Sequence, residues 1–149
     1  MQITQRIKPF LWFDGTAEEA AKFYVSIFPG SSIQSVSAVV TRFQLGGLDF
    51  IALNGGPQFS FTPAVSFFVD CETQDEVDEL WAKLSSGGKT GRCGWLEDRY
   101  GLSWQIVPTA LGEMLGDPDG ERSDRVFQAM LEMDKLDIAG LRRAHDAVH

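Results

Sequence analysis

The chain is poor in the residues that most often carry chemistry. It has two histidines in 149 residues. Both, His145 and His149, fall near the C-terminal end, which leaves the body of the sequence without an imidazole for metal binding or proton transfer. It has two cysteines, Cys71 and Cys93. They are too few for a disulfide framework, and with no histidine nearby they have no zinc-ligand spacing. Sparing use of cysteine makes a reducing, cytoplasmic setting the expectation. Positive charge is also scarce: 13 Lys and Arg face 21 Asp and Glu, for a net charge of −8. Arg142-Arg143 is an isolated basic pair near the end of the sequence. This balance argues against a phosphate backbone or an anionic membrane as partner, so neither nucleic acid nor membrane is expected. The opening residues lack the continuous apolar segment of a signal peptide, and no stretch approaches the length of a membrane span.

What is present is the balance of a globular protein, with 44% apolar and 23% charged residues, and the length suits one domain. Within it the sequence states one theme twice. An apolar run from Pro9 to Phe13 stops at Asp14-Gly15, and Thr16-x-x-Glu19 follows. A second run from Ala64 to Val69 stops at Asp70-Cys71, and Thr73-x-x-Glu76 follows. Both four-residue patterns read as capping boxes, in which the Thr hydroxyl and the Glu carboxylate take up N–H groups at a helix start. Asp14 and Asp70 are 56 positions apart, Thr16 and Thr73 57, and the glycines that lead into a late strand, Gly47 and Gly101, 54. Landmarks at nearly one offset predict a duplicated βαβββ module. The expected layout is a single α+β domain of curved mixed sheets with outer helices. Module one spans about 5–56, module two about 63–108, and a helical tail about 109–149.

Spacing predicts strands at 7–13, within 32–45 (two) and at 48–54, with a helix over about 17–28 in the first module. The second module predicts a helix over about 74–85, two short strands in 89–100 and a last strand after Gly101. In the tail, helices are expected near 109–115, from about 123, and over about 137–146. In the strands that open and close the modules, one parity is uniformly apolar: Phe10, Trp12, Ile51, Leu53, Val65, Phe67, Val69, Leu102, Trp104 and Ile106. That face is expected to carry the helices. The other parity is mixed: Pro9, Leu11, Phe13, Phe50, Ala52, Asn54, Ala64, Ser66, Phe68, Ser103, Gln105 and Val107. It suits the lining of a partly wet pocket, the alternative being an ordinary solvated sheet face. The expected ligand contacts are Leu11, Phe13, Asn54, Ser66, Trp95 and Gln105, with Trp95 offering a flat ring for stacking and core packing as its other reading.

Other motifs resolve to local structure. Ser86-Gly-Gly-Lys-Thr90 resembles the end of a phosphate loop, but the glycine required five positions earlier is Lys83, so a helix stop and turn is expected. Glu97 and Asp98 lie in or beside a strand. One of them could serve as a general base, although pairing with Arg92 or Arg99 at the strand end is the stronger expectation. Neither cysteine has an activating base, so both are expected to be small buried or half-buried thiols.

The strings Leu-Trp-Phe-Asp-Gly-x-Ala-Glu-Glu-Ala (11–20), Phe-Tyr-x-x-x-Phe-Pro (23–29), Ala-Leu-Asn-Gly-Gly-Pro (52–57), Asp-Cys-Glu-Thr-Gln-x-Glu-Val-Asp (70–78), Cys-Gly-Trp-Leu-x-Asp-x-Tyr-Gly-Leu-Ser-Trp-Gln-Ile-Val-Pro (93–108) and Gln-Ala-Met-Leu-x-Met (128–133) resemble the PhnB-like branch of the glyoxalase/bleomycin-resistance (vicinal oxygen chelate) superfamily. The resemblance implies curved sheets closing around a pocket, usually in a homodimer. A homodimer is also the expectation from the apolar tail positions Val126, Phe127, Met130 and Met133, which need cover from the protein's own sheet or from a partner. Metal-using members place His and Glu on the first and last strands of each module. Registering those strands here gives Pro9, Ala52, Ala64 and Gln105, so no metal and no cofactor is expected. Members are often labelled demethylubiquinone methyltransferase, yet this sequence has no Gly-x-Gly-x-Gly strand-to-helix turn of the kind that holds adenosylmethionine. Three functions stay open. The first is metal-independent binding of a small molecule whose identity the sequence does not specify. The second is an enzyme of the same superfamily (lyase, dioxygenase or transferase-like) using Gln105, Glu97 or a substrate-borne metal. The third is a structural or interaction protein working through its helical tail.

Overall fold

A computed structural model describes residues 4–147. The chain divides into two compact units, one ending at Phe61 and one beginning at Thr62.

The first unit comprises β1 (Phe10–Phe13), α1 (Ala17–Ile27), β2 (Ser32–Val36), β3 (Val40–Leu45) and β4 (Leu48–Asn54). They form one sheet in the order β1-β4-β3-β2. β1 runs parallel to β4, and the other pairings are antiparallel. α1 forms because Ala17, Ala20, Ala21, Tyr24 and Ile27 recur at helical spacing, and all five are buried. The small alanines let the helix lie close to the sheet, where Tyr24 stacks on Phe43 and Phe43 on Phe50 at centroid distances of 6.3 and 5.3 Å.

That stacking corrects the face assignment for this unit. α1 covers Leu11, Phe13, Phe43, Phe50 and Ala52, all buried. Phe10 is exposed, while Trp12, Ile51 and Leu53 are half-buried on the opposite face. Every residue from Pro9 to Phe13 is apolar, so parity within β1 cannot choose a side. The choice is made by β3, whose alternation of buried Thr41, Phe43 and Leu45 with Val40, Arg42 and Gln44 gives it one dry face. The register Phe43↔Phe50 transmits that choice to β4, and Leu11↔Ala52 transmits it to β1.

The first capping box is also corrected. Thr16 precedes α1 without a side-chain cap, and the Ala17 N–H donates instead to Asn54 Oδ1 at 2.8 Å. The Asn54 amide donates in turn to the Ala38 carbonyl at 3.1 Å. One side chain at the end of β4 therefore both caps the helix and ties down the β2–β3 turn. Asn54→Ala is expected to cost about 1–2 kcal/mol, the usual worth of a lost cap. Urea denaturation checks this, and a change below about 0.3 kcal/mol would show that Thr16 or water takes over the cap.

The second unit repeats the module as β5 (Ser66–Cys71), α2 (Gln74–Ser85), β6 (Lys89–Thr90), β7 (Trp95–Glu97) and β8 (Ser103–Pro108). Its strand order, β5-β8-β7-β6, matches the first, with β5 parallel to β8. Here the capping box forms as expected: Thr73 Oγ1 accepts the Glu76 N–H, and the Glu76 carboxylate accepts the Glu72 N–H. The faces also fall as expected. Val77, Leu80 and Leu84 of α2 are buried together with Leu96, Leu102, Trp104 and Ile106. Phe67 meets Trp104 edge-on at 5.3 Å on the same side. Ala64 and Val65 precede β5 as an exposed turn and bend, so they do not belong to either face. The phosphate-loop lookalike is the turn out of α2. Gly88 lies so close to the neighbouring strand that a Cβ would sit 2.1 Å from the Glu97 carbonyl oxygen.

The tail folds as α3 (Thr109–Leu115), α4 (Gly120–Leu131) and α5 (Ile138–Asp146). α4 starts earlier than expected because Asp119 caps it, accepting the Glu121 and Arg122 N–H groups. Its apolar stripe is largely covered within the same unit: Val126 is fully buried with Val107, Leu111, Met114, Leu136 and Leu141, and Met130 and Met133 pack against them. Phe127 and Leu131 remain exposed. Gln74 links α2 to this cluster, its amide accepting the Ile138 N–H at 2.7 Å and donating to the Leu136 carbonyl at 3.0 Å.

A histidine holds the end of α5. His145 Nε2 lies 2.7 Å from Asp117 Oδ2, and its Nδ1 lies 2.7 Å from Asp146 Oδ1. Hydrogen bonds to Asp146 and then Asp117 raise the imidazole above its usual 6.5. Asp117 is held below 3.8, first by the Asp119 N–H and then by His145. Asp146 is held below 3.8 chiefly by His145, with Arg122 and Arg142 adding to the effect. The His145 contribution is fully present below pH 6.5 and is lost as pH rises through the raised folded value. The carboxylate contributions are present above 3.8 and are lost as pH falls through their depressed values. The melting-temperature advantage of the protein over a His145→Gln variant is therefore expected to shrink as pH is raised from about 6 to about 9. An advantage constant over that range would show that the ion pairs do not hold the tail.

Candidate functional site

The open face of the second sheet, opposite α2, carries Phe68 and Asp70 from β5, Gln105 and Val107 from β8, and Trp95 from β7. The tail covers part of this face. Leu111, Gly112 and Leu115 of α3 and Met130 of α4 close over it, leaving a cleft of about 310 Å³ that Cys93, Pro108 and Thr109 complete. The lining is mainly apolar, with a few converging polar groups, which is the make-up of a small-molecule site. Trp95 and Gln105 are register partners across β7 and β8. Gln105 Nε2 donates to Ser66 Oγ at 3.0 Å, which fixes the amide above the sheet.

The turn before β7 sets one rim. The Cys93 N–H donates to the Met133 carbonyl and the Gly94 N–H to the Asp134 carbonyl, both at 2.8 Å. These bonds dock the turn on the segment that follows α4 and hold Cys93 in the left-handed region at φ 57°. Cys93 Sγ faces the Met130 carbonyl at 3.5 Å. Cys71 lies on the α2 side, where burial, reinforced by the carboxylates of Glu76 and Asp70, pushes its thiol up to about 12. It stays protonated and inert at neutral pH.

Of the six expected ligand contacts, the structure brings three together in this unit. Trp95 and Gln105 line the cleft, and Ser66 positions Gln105. The other three are in the first unit and serve its own fold: Leu11 and Phe13 are buried on the face covered by α1, and Asn54 caps that helix. Glu97 and Arg92 take partners other than those expected. Glu97 Oε2 lies 3.6 Å from Lys89 Nζ. Asp98 is buried, accepting N–H groups from Tyr100, Leu102 and the Trp104 indole. Arg92 lies 3.9 Å from Asp134, and Arg99 donates to the Ser86 carbonyl. Sequence reasoning placed Phe68 on the correct face without choosing it, and it read Asp70 as a strand stop although the residue shares the parity of Phe68. The sequence marked Met130 only as an apolar tail position and did not single out Leu111 or Leu115, because their role depends on where the tail docks.

Two units with the same βαβββ topology, the first strand parallel to the last and a helix on one face, define an α+β fold of the glyoxalase-related type. The family model described as 3-demethylubiquinone-9 3-methyltransferase matches residues 5–107, and the chain belongs to this PhnB-like family. A solved structure from Bacillus cereus, described as a putative 3-demethylubiquinone-9 3-methyltransferase, PhnB protein, is 36% identical, with a TM-score of 0.67 over 70% of this chain and 100% of its own. Protein PA1353 from Pseudomonas aeruginosa is 19% identical, with a TM-score of 0.60 over 70% of this chain and 98% of its own. The fosfomycin resistance protein FosX from Listeria monocytogenes, solved with Mn(II) and sulfate, shares the fold at 16% identity and a TM-score of 0.57 over 76% of this chain and 97% of its own. No curated protein matches the chain.

The residues on the open faces do not suit a metal of the superfamily's kind. On those faces the first unit presents Phe10 and Ile51 and the second Ser66 and Gln105, of which only Gln105 was expected at a ligand position. Ala52, expected at such a position, is buried beneath α1, and Ala64 precedes its strand. Among the described residues, no three His, Cys, Asp or Glu side chains converge, and a dehydrated cation needs such donors to replace its water. Among the described residues, no helix is long and apolar enough to cross a membrane.

Proposed function

We propose that this protein is a metal-independent small-molecule-binding member of the PhnB-like family, with its ligand in the cleft of the second unit. The observation that carries this reading is the cleft itself: about 310 Å³ on an open sheet face, walled by aromatic and aliphatic side chains around Gln105 and Asp70. Binding suits the site better than methyl transfer does. The family description names a methyltransferase, but the sheets are mixed and short. They lack the parallel, doubly wound arrangement and glycine-rich turn on which adenosylmethionine is commonly held.

Native mass spectrometry of protein purified from its own source tests the proposal. The expected result is a retained small molecule, lost from a Trp95→Ala variant that keeps the native circular-dichroism spectrum. Bare protein, together with a fragment screen by NMR that moves none of the Trp95, Gln105 or Leu111 resonances, would count against the cleft as a binding site.

A further inference from the structure

We infer that the ligand of this cleft is an organic cation: an ammonium group on a compact apolar or aromatic body. The inference rests on the small-molecule reading above and adds the sign of the ligand's charge. The lining residues include one carboxylate, Asp70, and no Lys, Arg or His. Asp70 is exposed, and among the described residues no cation lies within ion-pair distance of it. Of the neutral polar groups, Gln105 directs one amide N–H to Ser66, which leaves its carbonyl oxygen as an acceptor. Gln105 and the Thr109 hydroxyl can each accept or donate, so the carboxylate alone sets the sign of the site, and with no positive side chain in the lining it calls for a cationic donor. Phe68, which is 55% exposed, and the half-buried Trp95 line the same cleft as that carboxylate. A cation beside an aromatic face gains from the ring quadrupole as well as from the carboxylate. An anionic ligand would meet Asp70 without any positive side chain to offset it, in a chain whose net charge is already −8.

The test uses three probes of one shape: benzyltrimethylammonium, benzyl alcohol and benzoate, each titrated into the full chain and followed through the Trp95 indole N–H resonance. The expected order is cation, then alcohol, then benzoate. Asp70→Asn is expected to weaken the cation about fivefold and the alcohol by much less, as suits a partly solvated charge pair. Raising the salt concentration should weaken the cation alone in the unaltered protein, which keeps the inference testable if Asp70→Asn folds poorly. Binding of the alcohol or benzoate at least as tightly as the cation would overturn the inference while leaving the small-molecule cleft intact. If none of the three moves Trp95, the inference also fails, and the function reading then stands or falls on its own screen. A neutral or anionic molecule retained by native protein in the cleft would overturn the charge assignment directly.

Discussion

Replacing Asp98 by asparagine is expected to lower stability by about 3 kcal/mol, seen as a fall of roughly 10 °C in melting temperature. Asp98 is only 2% exposed, yet it carries a carboxylate. Its Oδ1 accepts the Tyr100 and Leu102 N–H groups at 2.8 and 3.1 Å, and its Oδ2 accepts the Trp104 indole N–H at 2.9 Å. These donors come from the β7–β8 turn and from the central strand of the second sheet, so one side chain closes the hairpin and orients the largest core ring. Asparagine keeps the shape but turns one acceptor into an NH2 group. Whichever way the amide is placed, a donor then faces a donor in a site with little access to water. Glu97→Gln is the control. Its partner Lys89 is mostly solvent-exposed, and the change should cost less than about 1 kcal/mol. Equal effects of the two substitutions in urea denaturation would show that the buried carboxylate is not the anchor of this turn.

Gly94→Ala is expected to cost about 2–4 kcal/mol and to loosen the cleft at the same time. Gly94 has φ 85°, a region where a side chain is strained. A Cβ there would also meet the Ile106 carbonyl oxygen at 2.9 Å and the Leu136 side chain at 3.0 Å. The Ile106 contact is backbone, and the Gly94 carbonyl accepts the Ile106 N–H at 2.8 Å, so relief requires the turn to leave β8. Because Cys93 on this turn lines the cleft, alkylation of Cys93 by a small thiol reagent should become faster in the variant, while the buried Cys71 stays protected. An unchanged denaturation midpoint, or unchanged Cys93 reactivity, would contradict the role given to this glycine.

The repeat was legible because it rests on local rules. Turn residues, helix starts and apolar spacing recur at nearly constant offsets, and each acts within a few neighbours along the chain. The same offsets also held the correct faces of the first unit: Leu11 stands 56 positions before Phe67, and Phe50 stands 54 before Trp104. Parity within β1 alone could not choose between them, since both of its faces are apolar. The cap at α1 shows the limit of local reading. Thr16-x-x-Glu19 has the right letters, but Asn54 reaches the Ala17 N–H first, from a strand 37 positions along the chain. The burial of Asp98 escaped local reading for a related reason. A carboxylate at a hairpin looks solvent-exposed until the folded turn brings three N–H groups to it.

By itself, the sequence determined that this is a duplicated βαβββ protein with a helical tail and that its two cysteines form no disulfide framework. Those properties depend on residue type and short-range spacing. The tertiary structure decided that the tail covers the open face of the second sheet, that Phe68, Asp70, Trp95 and Gln105 share a cleft with Leu111 and Met130, and that Asn54 and Asp98 serve the fold. These outcomes depend on which of several apolar surfaces pack together. That choice is made by the fit of whole elements, such as Val126 and Leu136 closing over Val107, and no window along the chain contains it.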